Sequence, residues 1–122
     1  MDKILHLTLN KKWFDMILSG EKKEEYREIK PYWITRLVKY FQNYSALINY
    51  PYLYDRGKGK YHIEFKSFTH IKFVNGYGKD KPTMILRLDS IVLSKGVEKW
   101  GGDPNKYYIT IKLGEIIDTK NI

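Results

Sequence analysis

Residues 13 to 27 are Trp13-Phe14-Asp15-Met16-Ile17-Leu18-Ser19-Gly20-Glu21-Lys22-Lys23-Glu24-Glu25-Tyr26-Arg27, an amphipathic segment followed by a glycine and a run of charges. The amphipathic segment predicts a helix, and Asn10 is suited to be its N-cap. Glycine adopts the left-handed conformation without the penalty of a Cβ, so Gly20 is predicted to end the helix at its C′ position. The face of the helix expected to point inward carries Trp13, Met16 and Ile17.

The charged run after the glycine predicts a strand over residues 23–28. Side chains alternate along a strand, so Glu25 and Arg27 are expected to share one face. Lys22 and Lys23 are expected at the open end of this strand. A lysine, a carboxylate and an arginine gathered there form a polar cluster suited to a phosphate, the edge of a nucleobase or a reacting carbonyl. A surface ion-pair network on an exposed strand is the alternative interpretation.

The same run resembles a known motif, because Gly20, Lys22, Glu25 and Arg27 satisfy the pattern G-x-K-x-x-E-x-R of ASCH domains. The chain is therefore similar to ASCH-domain proteins of the PUA-like superfamily. The resemblance extends over most of the chain, through Leu5-His6-Leu7-Thr8-Leu9, Lys30-Pro31-Tyr32-Trp33 and Phe73-Val74-Asn75-Gly76-Tyr77-Gly78. It implies a small β-barrel with a cleft, in a superfamily linked to RNA binding and, in some members, to hydrolysis.

The remaining pattern predicts further strands over residues 4–9, 69–74, 84–93 and 107–113. Pro31 suits the first turn of a second helix over residues 32–40, and residues 41–61 are predicted to be an irregular connection. We therefore expect an α+β, mainly β fold: a small PUA-like β-barrel of about five to six strands with two to three short helices. Residues 1–122 are expected to form a single ASCH domain.

The amino-acid composition indicates which class of binding partner the chain favours. Lys and Arg number 22 against 14 Asp and Glu, a net charge of +8, which favours polyanions such as RNA. Residues 41–83 hold seven basic and three acidic residues, so this middle part is the expected backbone-contacting region. No cysteine is present and no apolar run has the length of a signal peptide or membrane span, so a soluble cytoplasmic protein is predicted.

The resemblance also implies an enzymatic alternative. In hydrolytic relatives that act on acylated cytidine, the motif lysine is implicated in catalysis with a threonine of the motif and a more distant glutamate. Here Lys22 is present, but Glu25 stands at the threonine position. A carboxylate there is expected to act mainly as a base, a hydrogen-bond acceptor or a partner that keeps Lys22 charged, rather than as a nucleophile. Glu98 and Glu115 are the candidates for the distant glutamate.

Two glycine-containing loops and one arginine complete the candidate binding residues. Arg56-Gly57-Lys58-Gly59-Lys60 offers Lys58 and Lys60 to an RNA backbone, although a solvated turn has the same composition. Asn75 and Tyr77 lie on a loop where an amide and an aromatic ring can read and stack on a base, or form a plain hairpin turn. Arg87 lies among apolar residues and is expected to need an anionic partner, either Glu25 or a ligand phosphate.

Together these residues predict an RNA- or nucleotide-binding domain with a basic cleft beside the motif. Lys22 and Arg27 are expected to contact phosphate, Glu25 to accept from a base amino group or ribose hydroxyl, and Tyr77 to stack. No cofactor and no metal site are predicted, because the histidines are scattered and cysteine is absent. An amidohydrolase, a ribonuclease with Lys22 and Glu25 as catalytic residues, and a protein-interaction domain for an acidic partner are the alternatives.

Overall fold

The computed structural model describes residues 3–54 and 60–122, and the described chain is an α+β fold in which strands predominate. These residues form seven strands and three α-helices. In chain order they are β1 (Ile4–Leu9), α1 (Lys11–Leu18), β2 (Glu24–Arg27), α2 (Pro31–Leu37), β3 (Val38–Phe41), α3 (Tyr44–Asn49), β4 (Ile63–Phe65), β5 (His70–Asn75), β6 (Thr83–Lys95) and β7 (Tyr107–Lys120). Short 3₁₀ turns cover Pro51–Leu53 and Glu98–Trp100.

Five of the strands form one mixed sheet in the order β1-β5-β6-β7-β2, while β3 and β4 pair in a separate antiparallel sheet. β1 runs parallel to β5, and β5 runs antiparallel to β6. The prediction of a closed barrel is therefore wrong: the sheet is open, because β1 and β2 lie at the two ends of the strand order. Closure would need these two strands to pair, but β2 is only four residues long and hydrogen-bonds to β7.

The chain divides into two compact units. The first comprises Met1–Glu25, Ser67–Ser90 and Ile111–Ile122, and the second comprises Tyr26–Lys66 and Ile91–Thr110. Each has its own set of buried apolar side chains. In the first unit these include Leu5, Leu7, Leu9, Phe14, Ile17, Ile71, Phe73, Met84, Leu86 and Ile111. In the second they include Tyr26, Ile34, Leu37, Leu47, Tyr54, Ile63, Ile91 and Ile109.

Local sequence determines the first strand and helix largely as predicted. Alternate side chains of β1 are buried, and the side-chain oxygen of Asn10 accepts a hydrogen bond of 3.2 Å from the backbone N–H of Trp13. Gly20 adopts a φ of 84°, the left-handed conformation predicted for it. The buried face of α1 is nevertheless centred on Phe14 and Ile17, with Trp13 and Met16 only half-buried. In the described part of the chain, no helix is both long and apolar enough to cross a bilayer.

Candidate functional site

Lys22 and Glu25 are brought together by the turn between α1 and β2. The backbone N–H of Lys22 donates to the carbonyl of Met16 at 3.0 Å, which ties the residue to the end of the helix. The Lys22 ammonium lies 3.3 Å from Oε1 of Glu25, and the two residues are 2% and 5% exposed. The prediction that Lys22 lies at an open strand end is therefore wrong: Lys22 is buried, and only its neighbour Lys23 is exposed.

An aromatic ring borders this ion pair. The Lys22 ammonium lies 5.0 Å from the ring centroid of Trp13, and the ammonium of Lys12 lies 4.5 Å from the same centroid. An aromatic face attracts a cation through its quadrupole, and the attraction grows when the cation is shielded from water. Trp13 and Glu25 therefore both stabilise the positive charge of Lys22 within the first unit.

The buried pair adjoins a small cleft of about 170 Å³ within the first unit. The cleft is lined by residues from α1, from the turn that follows it, from β6 and from β7: Ile17, Gly20, Lys22, Lys23, Leu86, Leu113, Gly114, Glu115 and Ile116. Lys22 and Lys23 give it a basic side, and Glu115 adds a carboxylate from β7. Of the two glutamates considered for the distant catalytic position, Glu115 lines this cleft and Glu98 belongs to the second unit.

Arg87 has an anionic partner, as expected, but the partner is Glu115 rather than Glu25. Nε of Arg87 donates to Oε1 of Glu115 at 2.8 Å across β6 and β7. Both side chains are mostly exposed, at 61% and 69%. Because alternate residues of β6 face solvent, Arg87 does not lie in an apolar environment despite its apolar neighbours in sequence.

Arg27 belongs to the second unit, where it packs on an aromatic side chain. Its guanidinium carbon lies 5.0 Å from the ring centroid of Trp33, and its Nη1 donates to the carbonyl of Tyr26 at 2.8 Å. The ring of Trp33 meets Tyr32 edge-on at 4.8 Å, and Arg36 lies 4.3 Å over Tyr32. Arg27 of β2, Trp33 and Tyr32 of the first turn of α2, and Arg36 of its last turn thus form a continuous series of cation–aromatic and ring–ring contacts.

The loop between β5 and β6 presents the other predicted residues of the first unit. Asn75 ends β5, and its backbone N–H donates to the carbonyl of Pro82 at 2.9 Å, which closes the connection. Tyr77 is 85% exposed, so its ring is available for stacking. Lys60 is exposed in the second unit, whereas Lys58 and the rest of the glycine-containing segment before it lie outside the described residues.

No group of three potential metal ligands occurs within residues 3–54 and 60–122. Nε2 of His62 lies 3.2 Å from Oε1 of Glu64, and both side chains are exposed.

The comparisons with known proteins gave no match: no protein-family model, no curated protein and no solved structure is significantly similar to this chain. The motif and the geometry of the described residues are therefore the features that indicate a function.

Proposed function

We propose that the chain is an ASCH-type, PUA-like module that binds a nucleotide or RNA through the cleft beside Lys22 and Glu25. The observation that supports this most is the burial of a lysine–glutamate ion pair beside a cleft. Removing two charges from water is costly, and apolar side chains of similar volume are often equally or more stabilising. A buried pair at a concave site is thus better explained by ligand binding than by stability.

The volume of the cleft limits the size of the ligand that it can enclose. Its volume of about 170 Å³ lies below the roughly 300–1,000 Å³ of pockets that enclose a whole small molecule. A single base, or a single phosphate with part of its sugar, fits this scale better than a complete nucleotide does. The rest of the ligand then extends outside the cleft, where the exposed Lys23 can contact the backbone.

Each predicted residue has a chemical role in this proposal. Lys22 donates to a phosphate or base oxygen, and Glu25 accepts from a base amino group or ribose hydroxyl. Arg27 lies in the second unit, and its guanidinium is proposed as a phosphate contact there. Flanking nucleotides would meet Asn75, Tyr77 and Arg87 of the first unit. Lys60 of the second unit, and Lys58 outside the described residues, keep the RNA-backbone role that the sequence predicts for them.

NMR titration with CMP and with a short single-stranded RNA tests this proposal. We expect shifts at residues lining the cleft, and a loss of affinity of about tenfold or more in Lys22→Met, in line with the strength of charge-assisted hydrogen bonds. Lys12→Met is the matched control, because Lys12 lies over the same Trp13 ring but does not line the cleft. Lys23 is exposed, so Lys23→Gln should not affect folding. Its effect on affinity is a second test of binding at the same cleft.

The unfolding midpoint of each variant is measured first. Where it falls below that of the wild type, the measured affinity is corrected for the fraction of unfolded protein. The proposal is contradicted by wild-type affinity in both Lys22→Met and Lys23→Gln, or by shifts that leave the cleft unaffected.

An amidohydrolase is the second candidate, and the presence of Lys22 and Glu115 at one cleft favours it. In such a reaction water adds to the amide carbonyl while a carboxylate takes a proton from that water. The carboxylate then passes this proton to the departing nitrogen as the C–N bond breaks, which gives a carboxylic acid and the free cytidine amine. Lys22 would stabilise the negative charge that develops on the carbonyl oxygen.

Incubation with an N4-acylcytidine separates the enzyme from the binding module. Release of cytidine that is lost in Lys22→Met and in Glu115→Gln supports the hydrolase, and binding without turnover supports the module. The same assay with labelled RNA tests the ribonuclease.

A further inference from the structure

A second and larger cleft lies within the second unit, and none of the four motif residues lines it. Its volume is about 500 Å³, within the roughly 300–1,000 Å³ typical of small-molecule sites. Part of its lining is apolar, from Ile29, Ile48 and Pro51. A cleft of this size with an apolar part and a few polar groups has the composition of a ligand site.

Two lysines give this cleft its positive charge. Nζ of Lys106 lies 3.2 Å from Oε1 of Glu28, so much of its charge is already compensated. Nζ of Lys95 lies over the ring of Tyr107 at 5.7 Å, and no carboxylate of the described residues lies within ion-pair distance of it. Lys95 is therefore the cation best placed to receive an anionic group.

The same cleft presents an aromatic ring and two amides. Tyr52 lines it from the 3₁₀ turn after α3 and is 59% exposed, so its ring can stack on a flat ligand. Asn49 and Asn105 also line it, and each side-chain amide can both donate and accept hydrogen bonds. An anion, a flat ring and a hydrogen-bonding edge are the three features that such a lining would recognise together.

We propose that this cleft is a nucleotide-binding site, with the phosphate on Lys95, the base stacked on Tyr52 and its edge hydrogen-bonded by Asn49 or Asn105. A nucleotide combines all three features, whereas an acidic peptide offers the charge without the flat ring. The nucleotide is either free or one unit of a single-stranded nucleic acid. Lys95, Tyr52, Asn49 and Asn105 all belong to the second unit, so this site does not require the Lys22 cleft to bind anything.

Binding of a short single-stranded RNA and of AMP, measured by fluorescence anisotropy and calorimetry, tests this site with two pairs of variants. Tyr52→Ala is expected to weaken RNA binding about tenfold, as the loss of one stacked base does, while Tyr50→Ala changes it less than about twofold. Tyr50 is the matched control because it is exposed, adjoins Tyr52 and does not line the cleft. Lys95→Gln should reduce the salt slope by about 0.7, the contribution of one phosphate contact in a single strand, and the exposed Lys99→Gln should not.

The source of the nucleotide follows from the same measurements. AMP that binds as tightly as the RNA and is weakened by Tyr52→Ala identifies a free-nucleotide site, and RNA binding without AMP binding identifies a strand site. Equal effects of the Tyr52 and Tyr50 variants, or no binding of either probe, overturn the proposal.

Lys22→Met distinguishes RNA binding at the Lys22 cleft from RNA binding at the second cleft. RNA affinity lost in Lys22→Met but unchanged in Tyr52→Ala and Lys95→Gln overturns the second site and leaves the first proposal standing. The reverse pattern supports the second site alone.

Discussion

The same type of contact, a cation beside a glutamate, occurs in two opposite environments in the first unit. Lys22 and Glu25 are buried, with side chains 1% and 7% exposed, while Arg87 and Glu115 are mostly exposed. An exposed pair gains little because water screens it, and the median contribution is about 0–1 kcal/mol. A buried pair is different, because removal of one charge leaves the other in a poorly solvated site.

We therefore predict that Glu25→Gln destabilises the protein by about 3 kcal/mol or more, the range typical of a broken buried pair. Glu115→Gln is the matched control, with the same chemical change in an exposed pair and an expected cost below about 1 kcal/mol. Chemical denaturation of both variants measures the free energy of unfolding. Similar costs for the two variants would contradict the assignment of Lys22 and Glu25 as a buried charged pair.

At the scale of elements, two glycines allow the backbones beside the Glu98–Trp100 turn to approach closely. A Cβ built on Gly102 would lie 2.6 Å from Cα of Gly96 and 2.9 Å from the backbone nitrogen of Val97. These are backbone atoms, so no side chain can rotate away to make room. Gly20 is constrained differently: its φ is 84°, but a Cβ there would meet nothing within 4 Å.

Alanine substitution at Gly102 and at Gly20 is predicted to separate a steric cost in stability from a conformational one. Gly102→Ala should cost at least about 3 kcal/mol, since overpacking typically costs 1–3 kcal/mol and here the opposing atoms are backbone. Gly20→Ala should cost only about 1–2 kcal/mol, the penalty for an L-residue in the left-handed conformation. Thermal unfolding of the two variants ranks them, and a milder effect at Gly102 than at Gly20 would contradict the close approach.

Elements governed by local signals could be predicted, and those governed by tertiary pairing could not. The first strand, the capped helix that follows it and the two long strands near the C-terminal half carry strong periodicity or turn residues, and all of them form. The segment after Pro31 was predicted to stay helical to residue 40, but it leaves the helix at Leu37 because residues 38–41 pair with β4. Helix α3 lies in a stretch predicted to be irregular, although its Asn43 cap accepts from the N–H of Ala46 at 2.9 Å.

The candidate site could be predicted only in part, for the same reason. The motif brings Lys22 and Glu25 close in sequence, so their contact follows from a local turn. The contribution of Leu86, Gly114 and Glu115 to the cleft depends on the packing of β6 and β7, and no short-range pattern in the sequence reports it. The second cleft was missed likewise, although the cluster Tyr50-Pro51-Tyr52-Leu53-Tyr54 was a visible sign of unusual aromatic density.

At the scale of the whole molecule, the net charge of +8 bears on binding more than any single residue does. A polycation that binds RNA releases condensed counterions, so affinity falls as salt rises. A protein that binds a free nucleotide through one or two contacts depends on salt far less. Salt dependence therefore distinguishes RNA from a mononucleotide as the principal ligand.

We predict that the logarithm of RNA affinity falls linearly with the logarithm of salt concentration, with a slope of about −2 or steeper. Each phosphate contact of a single strand contributes about 0.7 to the slope, so about three contacts would give this value. Titrations at several salt concentrations measure the slope, and Lys22→Met and Lys95→Gln should each reduce it by a similar step. A slope near zero would contradict phosphate-dominated binding, and an absence of RNA binding even at low salt would favour the acidic protein partner instead.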